Sequence, residues 1–365
     1  MSLEPVVPVY DGPGIASIVP ALLGATDDEW LPAPAREARS VVVLVVDGLG
    51  WDAIQTHPDT LARIRALEGD KVTSVAPSTT AAALTSISTG LAPSQHGLVG
   101  FRMRVDGDVL NVLSWQREGN KRPPEPSIVQ RHAPFRGQPV PVVTRSEFHR
   151  TGFTDAHLRG TRFSGWRAVS TLVEHCRVLV EAGEPLVYAY YPGVDEVAHG
   201  YGLHDGYYES ELAFADRLVG ELQGALPDHA AVLVTADHGQ VHLGPDSWIE
   251  LGAMSELVET SAGDGRFRYL YARRGAADEL LAAAREAHGH HAWVRSRDEL
   301  VADGWLGPPP PGPVRRRLGD VVLAASTDVA FVDPALPREA NLRSGHGSLT
   351  PDEMWVPLLA GRGTR

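Results

Sequence analysis

The feature that most constrains this chain is a run of six apolar residues, 41–46, that leads directly into Asp47. An uninterrupted apolar run of this length is typical of a strand that is buried on both faces of a parallel sheet. A buried carboxylate is costly unless a partner or a metal ion compensates its charge. The segment VVVLVVDGLGWD therefore predicts a buried strand that ends at a charged site.

The same pattern recurs at two other places in the chain. Two further apolar runs are followed by acidic residues and histidines: 230–234 by Asp237 and His238, and 186–191 by Asp195 and His199. Helical patterns at 163–183 and 207–226 separate these runs. Alternating strands and helices indicate an α/β fold with a mostly parallel sheet flanked by helices, and ligands of such sheets gather beyond the carboxyl ends of the strands.

The remaining strand-like runs allow a division of the chain. Strands are predicted at 41–46, 72–75, 186–191, 231–235 and 356–360. We expect a catalytic core from residues 1–240 and 336–365, with an insertion at 100–165 near the site, where Asp106 and Gly107 suit a hairpin turn. Residues 241–335 read as strand, helix, strand, Pro-rich linker and strand, which predicts a smaller α+β cap.

The composition narrows the class of protein. With 365 residues, 43% of them hydrophobic, the chain can build a large core and one or two domains. A net charge of −13 with interspersed acids and bases argues against a nucleic-acid surface. Because no secretory signal or apolar window of about 18 residues is present, we expect a cytoplasmic enzyme without a membrane span. The single cysteine, Cys176, is expected to be a core residue.

The acidic residues and histidines at the strand ends form a coherent set of metal ligands. Asp195 and His199 are four residues apart, which places them on one side of a helical turn, and His346 lies between two glycines. The complete set comprises Asp47, Asp195, Asp237, His199, His238 and His346. Oxygen and nitrogen donors suit a cation such as zinc, and six are too many for one tetrahedral ion. The set therefore predicts two divalent ions with open positions for substrate.

A candidate nucleophile lies at the start of a predicted helix. Ser78, Thr79 and Thr80 follow Pro77 in the segment VAPSTTAAALTSI. Hydroxyl residues at this position are usually helix caps. Alternatively, one of them attacks phosphorus while the helix N-terminus stabilises the phosphoryl oxygens. The residue pattern alone leaves all three hydroxyls open.

Five segments together carry a resemblance to a known family: VVDGLGWD, STTAAALTSISTGLAPSQHG, YYPGVDEVAHGYG, TADHG and SGHGSLTPDEMWVPLL. Over nearly its full length the chain resembles the type I phosphodiesterase/nucleotide pyrophosphatase family of the alkaline phosphatase superfamily. The resemblance implies an alkaline-phosphatase-like fold and hydrolysis of a small phosphodiester or nucleotide pyrophosphate. Alternatives are a phosphomonoesterase or phosphonate hydrolase of the same superfamily, or a catalytically silent protein that binds phosphate esters.

The resemblance also implies roles for individual residues. It makes Thr80 the nucleophile and gives each of two zinc ions its own ligands: Asp47, Asp237, His238 and the Thr80 oxygen for one, and Asp195, His199 and His346 for the other. Two successive in-line displacements through a phosphothreonine would then retain the configuration at phosphorus.

Several other residues carry separate predictions. Arg102 and Arg104 are candidates for contacts with phosphoryl oxygens, but the sequence does not place them. His96 is expected to be structural, and the histidines of 288–291 are expected to end a helix rather than bind metal. Four aromatic residues of the first insertion form either a stacking wall for substrate or a small core: Phe101, Trp115, Phe148 and Phe163.

Overall fold

The computed structural model describes residues 4–365. In chain order the strands are β1 (Ser40–Val46), β2 (Glu68–Thr73), β3 (Arg102–Val105), β4 (Asp108–Asn111), β5 (Gln116–Arg117), β6 (Pro141–Arg145), β7 (Arg162–Trp166), β8 (Leu186–Tyr191), β9 (Ala230–Thr235), β10 (Val241–His242), β11 (Trp248–Ile249), β12 (Val258–Gly263), β13 (Phe267–Ala272), β14 (Ala292–Ser296), β15 (Val321–Ala325), β16 (Ala330–Phe331), β17 (Ser344–Gly345) and β18 (Trp355–Arg362).

The α-helices between these strands are α1 (Ile15–Leu22), α2 (Ala33–Arg36), α3 (Trp51–Thr56), α4 (Ala62–Arg65), α5 (Thr80–Thr89), α6 (Pro93–His96), α7 (Pro126–Val129), α8 (Gly152–Leu158), α9 (Val169–Glu181), α10 (Gly193–Tyr201), α11 (Gly206–Ala225), α12 (Ala277–His288), α13 (Arg297–Ala302), α14 (Gly312–Arg315) and α15 (Pro351–Met354). None of the described helices is both long and apolar enough to cross a bilayer.

A seven-stranded sheet with the order β2-β18-β9-β1-β8-β6-β7 forms the centre of the molecule. The strands β9, β1, β8, β6 and β7 pair in parallel, and β18 runs antiparallel to both β9 and β2. Every residue of β1, β8 and β9 is buried. The continuous apolar runs of these strands suit their central positions, because neighbouring strands and the layers on both faces exclude water. The expected α/β fold with a mostly parallel sheet is confirmed.

The helices cover the sheet and bring the long loops together at one edge. Helix α9 packs on β6, β7 and β8, and α11 packs on β9 and α9. Helix α5 lies against α1 and α8, and all ten of its residues are buried. Helix α10 begins two residues after β8 and packs on α11, so its first turn stands directly over the end of the sheet.

A separate four-stranded sheet, β12-β13-β15-β14, forms within the segment expected to be the cap. Helix α12 packs on β14 and β15, and their apolar side chains form a second core that includes Leu280 and Leu323. The predicted order of strand, helix, strand and strand is present as β13, α12, β14 and β15. The short pair β10–β17 connects the start of this segment to the loop that carries His346, whereas the pair β11–β16 lies within the segment. The boundaries of the cap as a domain remain a prediction.

Two parts of the sheet differ from expectation. The segment 100–165, read as an insertion, does supply the β3–β4 hairpin with its turn at Asp106 and Gly107. The same segment also contains β6 and most of β7, and both strands belong to the central sheet. Residues 163–166, read as the start of a helix, lie in β7. The strand expected at 72–75 is β2, which begins at Glu68 and exposes its first four residues. Edge strands such as β2 and β7 carry polar, exposed residues and therefore lack the apolar run on which the prediction depended.

Candidate active site

Three neighbouring strands carry the acidic residues to one edge of the sheet. Asp47 follows β1 directly, Asp237 follows β9 by two residues, and Asp195 lies in the first turn of α10 after β8. The backbone N–H of Asp195 donates to the Asp47 carbonyl at 3.1 Å, which joins two of the loops. Gly48 has φ of 75°, and a Cβ there would lie 3.0 Å from the Asp195 Cβ. A glycine is needed at this turn because it allows Asp195 to approach.

Asp47, Asp237 and His238 form one buried group, here called the first triad. The Nε2 atom of His238 lies 3.4 Å from Asp47 Oδ1 and 3.4 Å from Asp237 Oδ2. Asp47 Oδ1 and Asp237 Oδ2 are both buried without a hydrogen-bond partner. Three ligand atoms thus converge, and no arginine or lysine among the described residues pairs with either carboxylate. This donor set fits a divalent cation of the kind that oxygen and nitrogen ligands prefer.

Asp195, His346 and His238 form an adjoining group, the second triad. Asp195 Oδ1 lies 3.7 Å from His346 Nε2 and 3.2 Å from His199 Nε2. The two triads share His238, whose ring is stacked on that of His346 with the ring centroids 3.5 Å apart. The structure therefore brings His199 to Asp195, as predicted, but it groups His238 rather than His199 with His346. The assignment of ligands to each ion remains a prediction.

Backbone carbonyls fix the orientation of all three imidazoles. The Nδ1 atom of His199 donates to the Ser344 carbonyl at 2.9 Å, that of His238 to the Gly239 carbonyl at 3.0 Å, and that of His346 to the Ser78 carbonyl at 2.8 Å. A carbonyl only accepts hydrogen bonds, so each Nδ1 carries its proton and each Nε2 is available as a ligand atom. This outer arrangement is typical of histidines that bind metal ions.

The electrostatics of the carboxylates also favour a cation. Burial, together with the charges of Asp237 and Asp195, raises the pKa of Asp47 well above its usual value. Burial likewise raises the pKa of Asp237, although His238 opposes the shift. Burial disfavours the charged form of Asp195 as well, but His199, His346 and His238 together outweigh it and lower the pKa of Asp195. Because carboxylates crowded in this way repel each other, a divalent ion between them would relieve both burial and repulsion.

The three candidate hydroxyls at the start of α5 have different surroundings. Thr80 is the first residue of α5, and its Oγ1 lies 3.2 Å from His238 Nε2. The Ser78 hydroxyl donates to the Ser348 carbonyl at 2.7 Å and accepts from the Gly347 N–H. The Thr79 hydroxyl donates to Asp264 at 3.4 Å. Of the three hydroxyls, that of Thr80 is therefore the one that faces the first triad.

Two cavities meet at Thr80 and Asp195. The first, of about 240 Å³, has a largely aromatic and aliphatic wall formed by Leu84, Leu113, Phe148, Phe153, Leu158, Tyr188 and Tyr190. The second, of about 340 Å³, is lined by the aromatic rings of Phe101 and Trp248 and by charged residues that include Asp264 and Arg338. We call them the aromatic chamber and the charged chamber. Leu113 contributes to both walls.

The four aromatic residues of the first insertion lie in different environments. Phe148 lines the aromatic chamber and Phe101 the charged chamber. Trp115 is buried and its Nε1 donates to the Pro124 carbonyl at 2.8 Å, while Phe163 packs on the ring of His149. The four residues therefore form neither a single stacking wall nor a single core.

The two candidate arginines do not face Thr80. Arg102 is buried in ion pairs with Asp333 and Glu118. Arg104 lines a different cavity, together with Tyr271. Neither side chain lines a chamber that contains Thr80. We therefore assign no phosphoryl contact to either residue.

His96 and the histidines of 288–291 lie outside the two triads. His96 is buried, its Nδ1 accepts from the Leu98 N–H at 3.1 Å, and its Nε2 donates to the Ser86 hydroxyl at 2.9 Å. Burial lowers the pKa of His96 to about 3, which keeps the ring neutral. His288 is the last residue of α12, as expected for the histidines of 288–291. No metal-ligand group among residues 4–365 includes these histidines.

Sequence reasoning missed three polar residues around the triads. Tyr190 donates a hydrogen bond to Asp47 Oδ2, and Gln240 donates one to Asp195 Oδ1. Glu353 binds Arg266 behind the loop of His346. The alternation of side chains along β8 could have indicated which face of the sheet Tyr190 occupies, because side chains two residues apart in a strand share a face. Nothing local to Gln240 or Glu353 indicates its partner, which comes from a distant part of the chain.

The fold and the two candidate metal triads are consistent with a hydrolase of the alkaline phosphatase superfamily. The sequence model of the type I phosphodiesterase/nucleotide pyrophosphatase family matches residues 41–349, which is more than half of the chain. The chain therefore belongs to this family of hydrolases. No curated protein matches the sequence.

Solved structures share the fold at low sequence identity. Murine ectonucleotide pyrophosphatase/phosphodiesterase 5 matches with a TM-score of 0.68 and 18% identity over 88% of this chain and 87% of its own. An inactive variant of that protein, solved in complex with AMP, gives a TM-score of 0.67 at 17% identity, with the same coverage. Phosphonoacetate hydrolase from Sinorhizobium meliloti 1021, in complex with phosphonoformate, gives 0.61 and 18% over 89% and 91% of the two chains. At such identities these matches show the fold alone.

Proposed function

We propose that this protein hydrolyses phosphodiester or nucleotide pyrophosphate bonds with two divalent metal ions, with zinc as the expected metal, through a phosphothreonine at Thr80. The observation that carries the proposal is the position of Thr80: its hydroxyl lies at the N-terminus of α5, 3.2 Å from a ligand atom of the first triad, where two chambers meet. A small phosphate ester is the expected ligand, and the AMP complex of the murine relative supports this.

The metal ions, when bound, would supply charge neutralisation and activation of oxygen nucleophiles. The chain itself supplies the nucleophile and its orientation. Thr80 Oγ1 loses its proton and bonds to phosphorus while one ester P–O bond breaks and the alcohol or phosphate group leaves. Water then breaks the bond between Thr80 and phosphorus, so a monoester is released and Thr80 is restored. Free backbone N–H groups at the start of α5 would stabilise the phosphoryl oxygens.

The two chambers suit a phosphorus centre with two substituents. A diester attacked by Thr80 would place one of its two substituents in each chamber, whereas a monoester would leave one chamber empty. The aromatic chamber would receive an aryl or other apolar arm, because Phe148, Phe153 and Tyr190 offer it a desolvated surface. The charged chamber would receive the more polar arm.

The test compares substrates and matched variants of the metal-saturated enzyme. We expect higher kcat/KM for bis-p-nitrophenyl phosphate than for p-nitrophenyl phosphate or phosphonoacetate. Thr80→Ala should lower it at least about a thousandfold, as expected for the loss of a nucleophile. Thr79→Ala, the neighbouring control, should change it less than about tenfold. An acid quench should trap phosphate on the peptide that contains Thr80.

Other outcomes would change the assignment. A strong preference for the monoester or for phosphonoacetate would favour the alternatives within the superfamily. Full activity of Thr80→Ala with its metal retained would reopen Ser78 and Thr79 as nucleophiles. Absence of turnover with every ester, in a protein that holds two metal equivalents by elemental analysis, would favour a silent binding protein. The same elemental analysis identifies the ion.

A further inference from the structure

A cavity of about 380 Å³ shares no lining residue with either chamber at Thr80. It lies between the β3–β4 hairpin, the segment around α7, the strand β13 and the helix α14. Five arginines line it: Arg104, Arg131, Arg297, Arg316 and Arg317. We call it the arginine cavity. Such a concentration of positive charge contrasts with the net charge of −13 of the whole chain.

Two of the five guanidinium groups are matched by acids. Arg297 pairs with Asp320 at 2.7 Å, and Arg104 lies 3.6 Å from Glu259. The one acid that lines the cavity is Asp106, whose carboxylate is 81% exposed and lies 3.6 Å from an arginine outside the cavity. The other three guanidinium groups have no carboxylate within 4.0 Å among the residues that the structure describes: Arg131, Arg316 and Arg317.

Arg317 makes the strongest case for a missing anion. Its side chain lines the cavity although the residue is only 8% exposed. Its Nη1 donates to the Gly97 carbonyl at 2.5 Å and to the Val129 carbonyl at 3.1 Å. These carbonyls orient the guanidinium but do not neutralise it. Burial lowers the pKa of Arg317 to about 10, although the charge of the exposed Asp106 opposes the shift, so the group still carries its charge at neutral pH. A buried charge that has no carboxylate in direct contact is destabilising.

The surroundings are also held in place without a ligand. The Tyr271 hydroxyl donates to the Arg317 carbonyl at 2.5 Å, and the guanidinium of Arg104 lies 5.2 Å from the centre of the Tyr271 ring. The cavity wall also has an apolar part that includes Ile128 and Pro313. Several guanidinium groups, each able to donate two hydrogen bonds, lie beside an apolar surface. This combination suits a tetrahedral oxyanion that carries a small organic group.

We propose that the arginine cavity binds a phosphate-type oxyanion, either free phosphate or a small phosphate monoester, at a site separate from Thr80. The oxyanion would accept hydrogen bonds from Arg317 at the buried end of the cavity and from Arg131 and Arg316 at its exposed rim. This binding site does not depend on the catalytic role of Thr80, so either can fail without the other.

The test uses the full-length, metal-saturated protein and calorimetric titration with inorganic phosphate. The double variant Arg131→Gln/Arg316→Gln removes two exposed charges of the rim, and Arg274→Gln, an exposed arginine outside the cavity, is the control. We expect wild type and control to bind phosphate at a site that the double variant loses or binds at least tenfold more weakly. Turnover of bis-p-nitrophenyl phosphate should change less than about twofold in both variants. Identical phosphate isotherms in all three proteins would overturn the proposal.

A second variant separates binding from simple charge burial. Arg317→Met removes the buried charge together with its hydrogen bonds to the Gly97 and Val129 carbonyls. Phosphate should raise the thermal midpoint of Arg317→Met less than that of wild type, as it should for the double variant. An undiminished increase in Arg317→Met would contradict the proposal. If Arg317→Met does not fold, the double variant decides alone. Tighter binding of glycerol 3-phosphate than of phosphate would identify an ester as the ligand, and equal binding would identify free phosphate.

Discussion

The ion pair between Arg266 and Glu353 allows a quantitative test of how the loop of His346 is held. Arg266 Nε and Nη2 each lie 2.8 Å from a different oxygen of Glu353, and the two side chains are 1% and 0% exposed. Glu353 also accepts from the Ser348 N–H at 2.9 Å and from the Thr350 hydroxyl at 2.5 Å. The same carboxylate thus neutralises a buried arginine and fixes the residues that follow His346.

We predict that Glu353→Gln lowers the free energy of unfolding by about 3–5 kcal/mol, because it leaves the guanidinium of Arg266 buried without a counter-charge. At about 2.1 cal/mol/K per residue, the unfolding entropy of 365 residues is roughly 0.8 kcal/mol/K, so the thermal midpoint should fall by about 4–6 °C. Differential scanning calorimetry of the metal-saturated protein measures this shift.

The matched control is a second bidentate ion pair, which lies on the surface. Arg162 and Glu184 make the same kind of contact, with one N–O distance of 2.7 Å, but their side chains are 51% and 19% exposed. Because solvent screens such pairs, Glu184→Gln should cost less than about 1 kcal/mol, or about 1 °C. Equal shifts in Glu353→Gln and Glu184→Gln would refute the argument from burial.

Three further predictions concern the metal ions and pH. His346→Ala should lose one metal equivalent by elemental analysis, whereas His290→Ala should lose none; equal losses would mean that the histidines of the cap bind metal. Tyr190→Phe removes a hydrogen bond to Asp47 and should weaken metal binding about tenfold in chelator competition, whereas unchanged affinity would exclude this positioning role. Burial raises the pKa of Asp264 to about 7, so the folded protein binds more protons than the unfolded chain between about pH 4 and 7. Wild type should therefore lose stability relative to Asp264→Asn as pH rises through that window, and a constant difference in thermal midpoint would contradict this.

The sequence by itself determined the central strands and the acidic residues that end them. The runs that became β1, β8 and β9 were recognisable because strands with neighbours on both sides consist of apolar residues alone. Asp47 and Asp237 stood out because a carboxylate directly beyond such a strand needs a physical reason. The family pattern then selected Thr80 from three adjacent hydroxyls, a choice that the residue types alone left open.

Tertiary structure alone decided which distant residues share a surface. The edge strands β2 and β7, the pair of Arg266 with Glu353 and the arginine cavity all depend on contacts between segments far apart in the chain. An arginine in the sequence looks the same whether it lies in solvent, pairs with a carboxylate or is buried without one. Periodicity reports how much of an element is buried, but the charge that faces a buried group is set by the packing of the whole chain.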